Sequence, residues 1–164
     1  MLSVIIETRD CEEALARTLA SLVGAVVEGA VRDVIIVDLG STDSTLKVAE
    51  HAGCALSASL SEALAQAKCD WLILIEPGAR LSDGWTDSAI AHAARHAQPA
   101  HFTRTRASRP GLFSRVFNTA LASGFLMSKK QALTRLRQNS HAEDLARGLS
   151  SKTLDGEIAA APKR

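Results

Sequence analysis

The sequence predicts an α/β domain built as a three-layer sandwich around a mainly parallel central sheet. Two observations carry that expectation. Apolar runs without alternation, at residues 34–37 and 71–75, have the pattern of strands buried on both faces. Segments with apolar residues at helical spacing separate such runs, and the order βαβαβαβ implies right-handed crossovers between parallel strands.

Taken in order, residues 2–6 form the first strand. Asp10, with Glu13 three residues on, reads as a capping box that opens a helix. Leu15, Leu19, Leu22, Val23 and Val26 give that helix one buried face, and Gly29 ends it. Residues 33–37 are the second strand, after which Ser41, Thr42 and Asp43 cap a helix that closes at Gly53. Residues 54–56 are a short third strand. Ser59 and Glu62 repeat the capping signature ahead of a helix reaching Lys68, and residues 71–75 are the fourth strand.

Beyond that strand the pattern loosens. Residues 76–79 read as a turn, 85–96 as a helix, 101–106 as an alternating stretch and 109–111 as a loop. Leu112, Phe113, Val116, Phe117, Ala120 and Leu121 recur at helical spacing, which is a core pattern before it is a membrane-contact one. Residues 125–127 are expected as a strand, 129–137 as a helix and 143–147 as a helical turn. The whole is read as one domain over residues 1–155, with 156–164 a frayed tail.

Composition narrows the class. With 164 residues and 46% hydrophobic content, the chain has enough apolar surface for a core, and no run is long enough to span a bilayer. It enters its first strand without a basic leader, so no signal peptide is expected. Three cysteines with no Cys-x-x-Cys suit a reduced, cytoplasmic protein, and Cys11 is expected as a packed residue. Net charge is +1 but unevenly spread. Residues 1–87 carry 14 acids against 6 Lys and Arg, whereas residues 88–142 carry no acid and 9 Lys and Arg. The basic stretch is read either as a solvated face or as a surface for nucleotide phosphate or an anionic membrane; nucleic acid is not expected. His92 and His96 share a helix face without a third metal ligand, so they are expected to be solvated.

The chemistry concentrates where the second strand ends. Asp38 stands at its carboxyl end, Gly40 permits a tight turn, and Ser41 and Asp43 open the following helix. This Val-Asp-x-Gly-Ser-Thr-Asp stretch resembles the nucleotide-binding strand of the family-2 glycosyltransferases, enzymes of the GT-A fold, a Rossmann-like arrangement. The resemblance covers about the first ninety residues well. It implies that Thr8 and Asp10, in a turn that reads Glu7-Thr8-Arg9-Asp10 where the family has Pro-x-x-Asn, join Asp38, Gly40, Ser41 and Asp43 in binding the nucleotide. Asp70-Trp71, Arg80-Leu81 and Gly84-Trp85 match the surroundings of the family's metal motif, Asp-x-Asp. That motif here reads Glu76-Pro77-Gly78, so Glu76 is the one candidate ligand for Mg²⁺ or Mn²⁺. Because Gly78 stands where a second carboxylate is expected, metal dependence is expected to be weak or absent, and the substitution Gly78→Asp to restore it. Residues 124–130 resemble the family's late strand and basic helix. Ala142-Glu143-Asp144-Leu145 resembles the pair that supplies the catalytic base.

Each of these residues also has a plain structural reading. Asp38 and Asp43 could serve only as turn and cap residues, Glu76 as an exposed turn acid, and Glu143 and Asp144 as first-turn acids favoured by the helix dipole. The resemblance implies transfer of a sugar from a nucleotide-diphosphate donor, a UDP-sugar, to an acceptor hydroxyl with inversion; the acceptor, whether glycan, lipid or lipid-phosphate, is left open. The alternatives are a catalytically impaired nucleotide-sugar-binding module and a membrane-peripheral partner protein.

Overall fold

A computed structural model describes residues 1–108, 119–138 and 140–162. Among these, eight strands form a single mixed sheet. They are β1 (Leu2–Thr8), β2 (Val31–Asp38), β3 (Ala55–Ser57), β4 (Trp71–Leu74), β5 (Arg80–Leu81), β6 (Ala100–Arg104), β7 (Phe125–Ser128) and β8 (Lys152–Ala159). The spatial order is β3-β2-β1-β4-β7-β6-β8-β5. The first four are mutually parallel, β7 is antiparallel to both β4 and β6, β8 is parallel to β6, and β5 is antiparallel to β8. The expected α/β architecture with a mostly parallel sheet is therefore present, with an antiparallel set added beyond β4.

Helices cover both faces because side chains alternate across each buried strand. Val4, Ile6, Ile36, Ile73 and Leu126 meet Leu15, Leu19 and Leu22 of α1 (Glu12–Val27), Ala49 of α2 (Thr45–His51) and Trp85 and Ala89 of α4 (Trp85–Arg95). On the other face Ile5, Ile35, Val37, Leu72, Leu74 and Met127 meet α3 (Leu60–Gln66), α5 (Lys129–Arg135) and α6 (Ala142–Ala146). Both faces of β1, β2 and β4 are thus dry, and polar residues are tolerated only at strand ends. Ser3 and Asp33 pair near the amino ends, and Thr8 and Asp38 at the carboxyl ends.

Several expectations need correction. The capping box of Asp10 and Glu13 does not form: α1 is capped at Cys11, and Asp10 reaches across to the β2–α2 loop instead. The segment from Gly156 is not a frayed tail through Ala159, since those residues belong to β8. There Leu154 and Ile158 are buried. The pairing with β6 jumps from Phe102–Leu154 to Thr103–Glu157, so Asp155 and Gly156 bulge. Gly156 lies so close to α4 that a Cβ would stand 2.6 Å from Ser88 Oγ and 3.1 Å from Trp85 Cα. His92 is buried rather than solvated: its Nε2 meets the Gln98 carbonyl at 2.8 Å and its ring packs edge-on to Trp71. Ala120 and Leu121 lie in a turn rather than a helix; the 109–111 loop and the Leu112, Phe113, Val116 and Phe117 stripe lie outside the described residues.

Candidate functional site

β1 and β2 run in register to Thr8 opposite Asp38, and Leu39 N–H adds one more ladder bond to the Thr8 carbonyl at 2.8 Å. Thr8 is fully buried and its hydroxyl donates to Asp38 Oδ1 at 3.0 Å. The other Asp38 oxygen accepts the N–H groups of Gly40 at 3.1 Å and Ser41 at 2.8 Å, while Ser41 Oγ donates to Oδ1. Burial opposes ionisation of Asp38, but the bonds from Ser41, Thr8 and Gly40 outweigh it and hold the carboxyl below the usual range. A carboxylate offers about four lone-pair sites, and all are engaged in the turn. A base or ribose that hydrogen-bonds to Asp38 must therefore take the place of a hydroxyl, with Ser41 Oγ the more accessible of the two.

The β1–α1 and β2–α2 loops are laced together. Asp10, at φ +45°, accepts from Thr42 N–H at 2.7 Å and from the Thr42 hydroxyl at 3.1 Å, while its own N–H donates to Ser41 Oγ at 3.0 Å. Asp43 accepts from Glu12 N–H at 3.2 Å, Glu12 accepts from Ser44 N–H at 2.9 Å, and Thr45 Oγ1 accepts from Cys11 N–H at 2.9 Å. Each loop thus satisfies orphan N–H groups of the other's helix. The Thr42 bonds depress the Asp10 carboxyl, and Thr45 does the same for Asp43.

In front of these loops opens a cleft of about 830 Å³ lined by Arg9, Asp10, Arg17, Asp43, Glu76 and Thr119 among others. Thr8, Asp38, Glu143 and Asp144 are not part of its wall. Glu76 follows β4, which pairs directly with β1, and accepts a short hydrogen bond from the Thr119 hydroxyl. The next residue, Ala120, donates its N–H to Glu143 Oε1 at 3.4 Å. Two successive residues therefore bring together the candidate metal ligand and one candidate base. Arg147 pairs with both acids, donating to Glu143 Oε1 at 3.1 Å and lying 3.6 Å from Asp144 Oδ1, but Asp144 also caps α6 by accepting His141 N–H on Oδ2 at 2.9 Å.

A divalent cation suits the residues present poorly. Gly78 has φ +96°, and a Cβ there would stand 3.2 Å from Ala161 Cβ and 3.3 Å from Pro162 Cδ. Its N–H is bound to Thr18 Oγ1 at 2.8 Å. The position of the missing carboxylate is thus a tight glycine turn walled by the C-terminal segment, with no room prepared for a side chain.

Sequence reasoning passed over four residues around the cleft and α6. Thr119 adjoined a stretch read only for its apolar spacing, and Arg9 and Arg17 were not singled out from the charge pattern. Glu7 was noted only as a replacement for proline, yet its side chain, 16% exposed, faces α6. Burial pushes its carboxyl up, and the Ala142 N–H and His141 only partly offset this.

Comparison with known proteins bears on family and fold. The family model described as Glycosyl transferase family 2 matches residues 3–142. No curated protein matches the sequence. Among solved structures, glucosyl-3-phosphoglycerate synthase from Mycobacterium tuberculosis in complex with Mn²⁺, UDP and glucosyl-3-phosphoglycerate superposes with a TM-score of 0.66 at 17% identity, over 100% of this chain and 73% of that one. The same enzyme in another crystal structure gives 0.68 at 16% identity, over 100% and 72%. TarS 1-349 of S. aureus gives 0.66 at 16% identity, over 98% of this chain and 60% of that one. At such identities the likeness is one of fold.

Proposed function

The chain belongs to glycosyl transferase family 2, and from that membership we propose that it transfers a sugar from a UDP-sugar to an acceptor hydroxyl with inversion. The observation that supports this most is the meeting of Glu76 and Glu143 on the consecutive residues Thr119 and Ala120, beside the laced turns of Thr8 and Asp38. A nucleoside held at those turns sends its diphosphate toward the cleft and leaves the anomeric carbon between the two carboxylates.

Glu143 is the better base of the acidic pair, because Asp144 is engaged through both oxygens, whereas the Ala120 and Arg147 contacts of Glu143 both fall on Oε1. Its carboxylate takes the acceptor hydroxyl proton as the acceptor oxygen attacks the anomeric carbon and the bond to the diphosphate breaks. Inversion requires that this happen on the face opposite the leaving UDP. Donor binding draws on Thr8, Asp10, Asp38, Gly40, Ser41 and Asp43. Arg9, rather than a resident cation, brings positive charge to the leaving phosphates, with Glu76 fixing Thr119 at the rim. Glu143→Gln is expected to lower UDP release from the donor by about a hundredfold or more while leaving UDP affinity in place. Unchanged turnover would assign the base elsewhere.

A second reading, a nucleotide-sugar-binding module with impaired turnover, has its own support. The cleft wall carries five carboxylates against two guanidiniums, a balance that slows departure of an anionic leaving group. Binding of UDP without release from any UDP-sugar would favour it.

A further inference from the structure

Glu7 is an acid in a strand that is otherwise apolar or hydroxylic, and it occupies the position where the family turn begins with proline. It lies on the β1 face that carries Ile5, the face covered by α6. Its carboxylate lies 3.5 Å from His141 Nδ1 and beside Ala142, the first residue of α6, whose N–H favours its ionised form. The charged groups facing it are His141, which favours its ionised form, and Asp144, which opposes it. Burial works against ionisation as well, so a glutamine of the same shape would suit the fold as well or better. A carboxylate kept where it costs stability points to a use in the site.

α6 has only five residues, too few to hold a helix unaided. Its far end is tied down by Arg135, which donates to the carbonyls of Leu145 at 2.9 Å and Arg147 at 2.8 Å. Its near end is capped by Asp144, which accepts His141 N–H at 2.9 Å, and Glu7 ties that capped end to β1 through His141. We propose that Glu7 is a positioning residue: by holding the first turn of α6 through Ala142 N–H and the His141 imidazole, it sets the direction from which Glu143 meets the site. The proposal rests on the reading of Glu143 as base.

The test has two arms. In the first, NMR follows the Glu7 side-chain carboxyl and the Ala142 amide through a pH titration of the whole chain. The Ala142 amide is expected to titrate with the midpoint of Glu7, and this transition is expected to vanish from Ala142 in Glu7→Gln. His141→Asn is expected to move the Glu7 midpoint upward. An Ala142 amide indifferent to Glu7 would overturn the proposal. In the second arm, UDP-glucose is the probe and UDP release is read. Glu7→Gln and Glu7→Ala are expected to lower kcat about fivefold or more with KM within about twofold of wild type, and to remove the Glu7 midpoint from the pH profile of kcat. A folded Glu7→Ala with unchanged kcat would equally overturn the proposal. Should Glu7→Ala fail to fold, Glu7→Gln serves alone. Failure of the wild-type chain to bind or turn over UDP-glucose counts against that donor in the functional reading, and the NMR arm then decides the anchoring by itself.

Discussion

Placing an aspartate at Gly78 would recreate the pair of carboxylates that the family's metal motif lacks here, yet the structure argues that the substitution damages the fold before it helps the site. Gly78 lies at φ +96°, where an L side chain costs about 1–2 kcal/mol. The added Cβ would also press on Ala161 Cβ at 3.2 Å and Pro162 Cδ at 3.3 Å. Contacts this tight force the neighbours to give, at about 1 kcal/mol more. Gly78→Asp and its control Gly78→Ala are therefore each expected to lose about 2–3 kcal/mol, a fall in Tm of about 4–12 °C for a chain of this size. Thermal and urea unfolding of both variants measure the loss. Calorimetric titration with UDP, with and without Mn²⁺, measures any gain. A Gly78→Asp variant as stable as wild type that acquires Mn²⁺-dependent UDP binding would refute the reasoning, since it would prove the turn able to carry a ligand.

Three further outcomes are expected. Ile158→Ala, at a fully buried position of β8, should cost about 2–5 kcal/mol in urea unfolding; a loss of a few tenths would return this segment to the status of a loose tail. Asp10, Asp38 and Asp43 all have depressed carboxyls, so they add stability that is full above their ordinary pKa and lost as the pH falls through the depressed values. Glu7, whose carboxyl is raised, has the opposite sign and contributes stability that is lost as the pH rises through its raised value. Unfolding free energies measured from about pH 7 to pH 2.5 should accordingly drop on the acid side, with Glu7→Gln gaining on wild type above the ordinary glutamate pKa. Lastly, Lys130, Arg137, Arg95 and Arg106 are exposed, whereas Lys129 and Arg135 are spent on carbonyls of neighbouring elements. We propose that the exposed four draw the chain to anionic liposomes at low salt, at about 1 kcal/mol each; equal retention on neutral liposomes would remove charge as the cause.

The first ninety residues were legible because dry parallel strands leave a signature that survives in any sequence: apolar runs closed by glycine and short polar side chains. The turn at Asp38 was legible for the same reason, as an acid followed by glycine and short polar side chains marks where such a strand ends. What could not be read were choices among equivalent partners. Asp10 followed by Glu13 satisfies a capping pattern, yet the N–H groups that Asp10 reaches belong to a loop more than thirty residues away. β8 hid because its inward beat falls on Leu154, Gly156 and Ile158, and the middle one is a glycine demanded by the approach of α4. His92 looked like one of a solvated pair until Trp71 and the Gln98 carbonyl enclosed it. Glu7 looked like a lapse from the family turn, and only the seating of α6 gives it a partner. In each case the deciding contact spans a separation that no local spacing encodes.

The central claim, that the turns of Thr8 and Asp38 hold the nucleoside of a UDP-sugar, is tested most directly by calorimetric titration of UDP into wild type and Asp38→Asn, each shown to be folded. Asp38→Asn keeps an oxygen acceptor for the turn but removes the charge. The expected result is UDP binding by wild type that changes little on adding Mn²⁺, and a loss of about 1–3 kcal/mol in the variant. Absence of UDP binding by wild type in either condition, or equal affinity in the folded variant, would contradict the account.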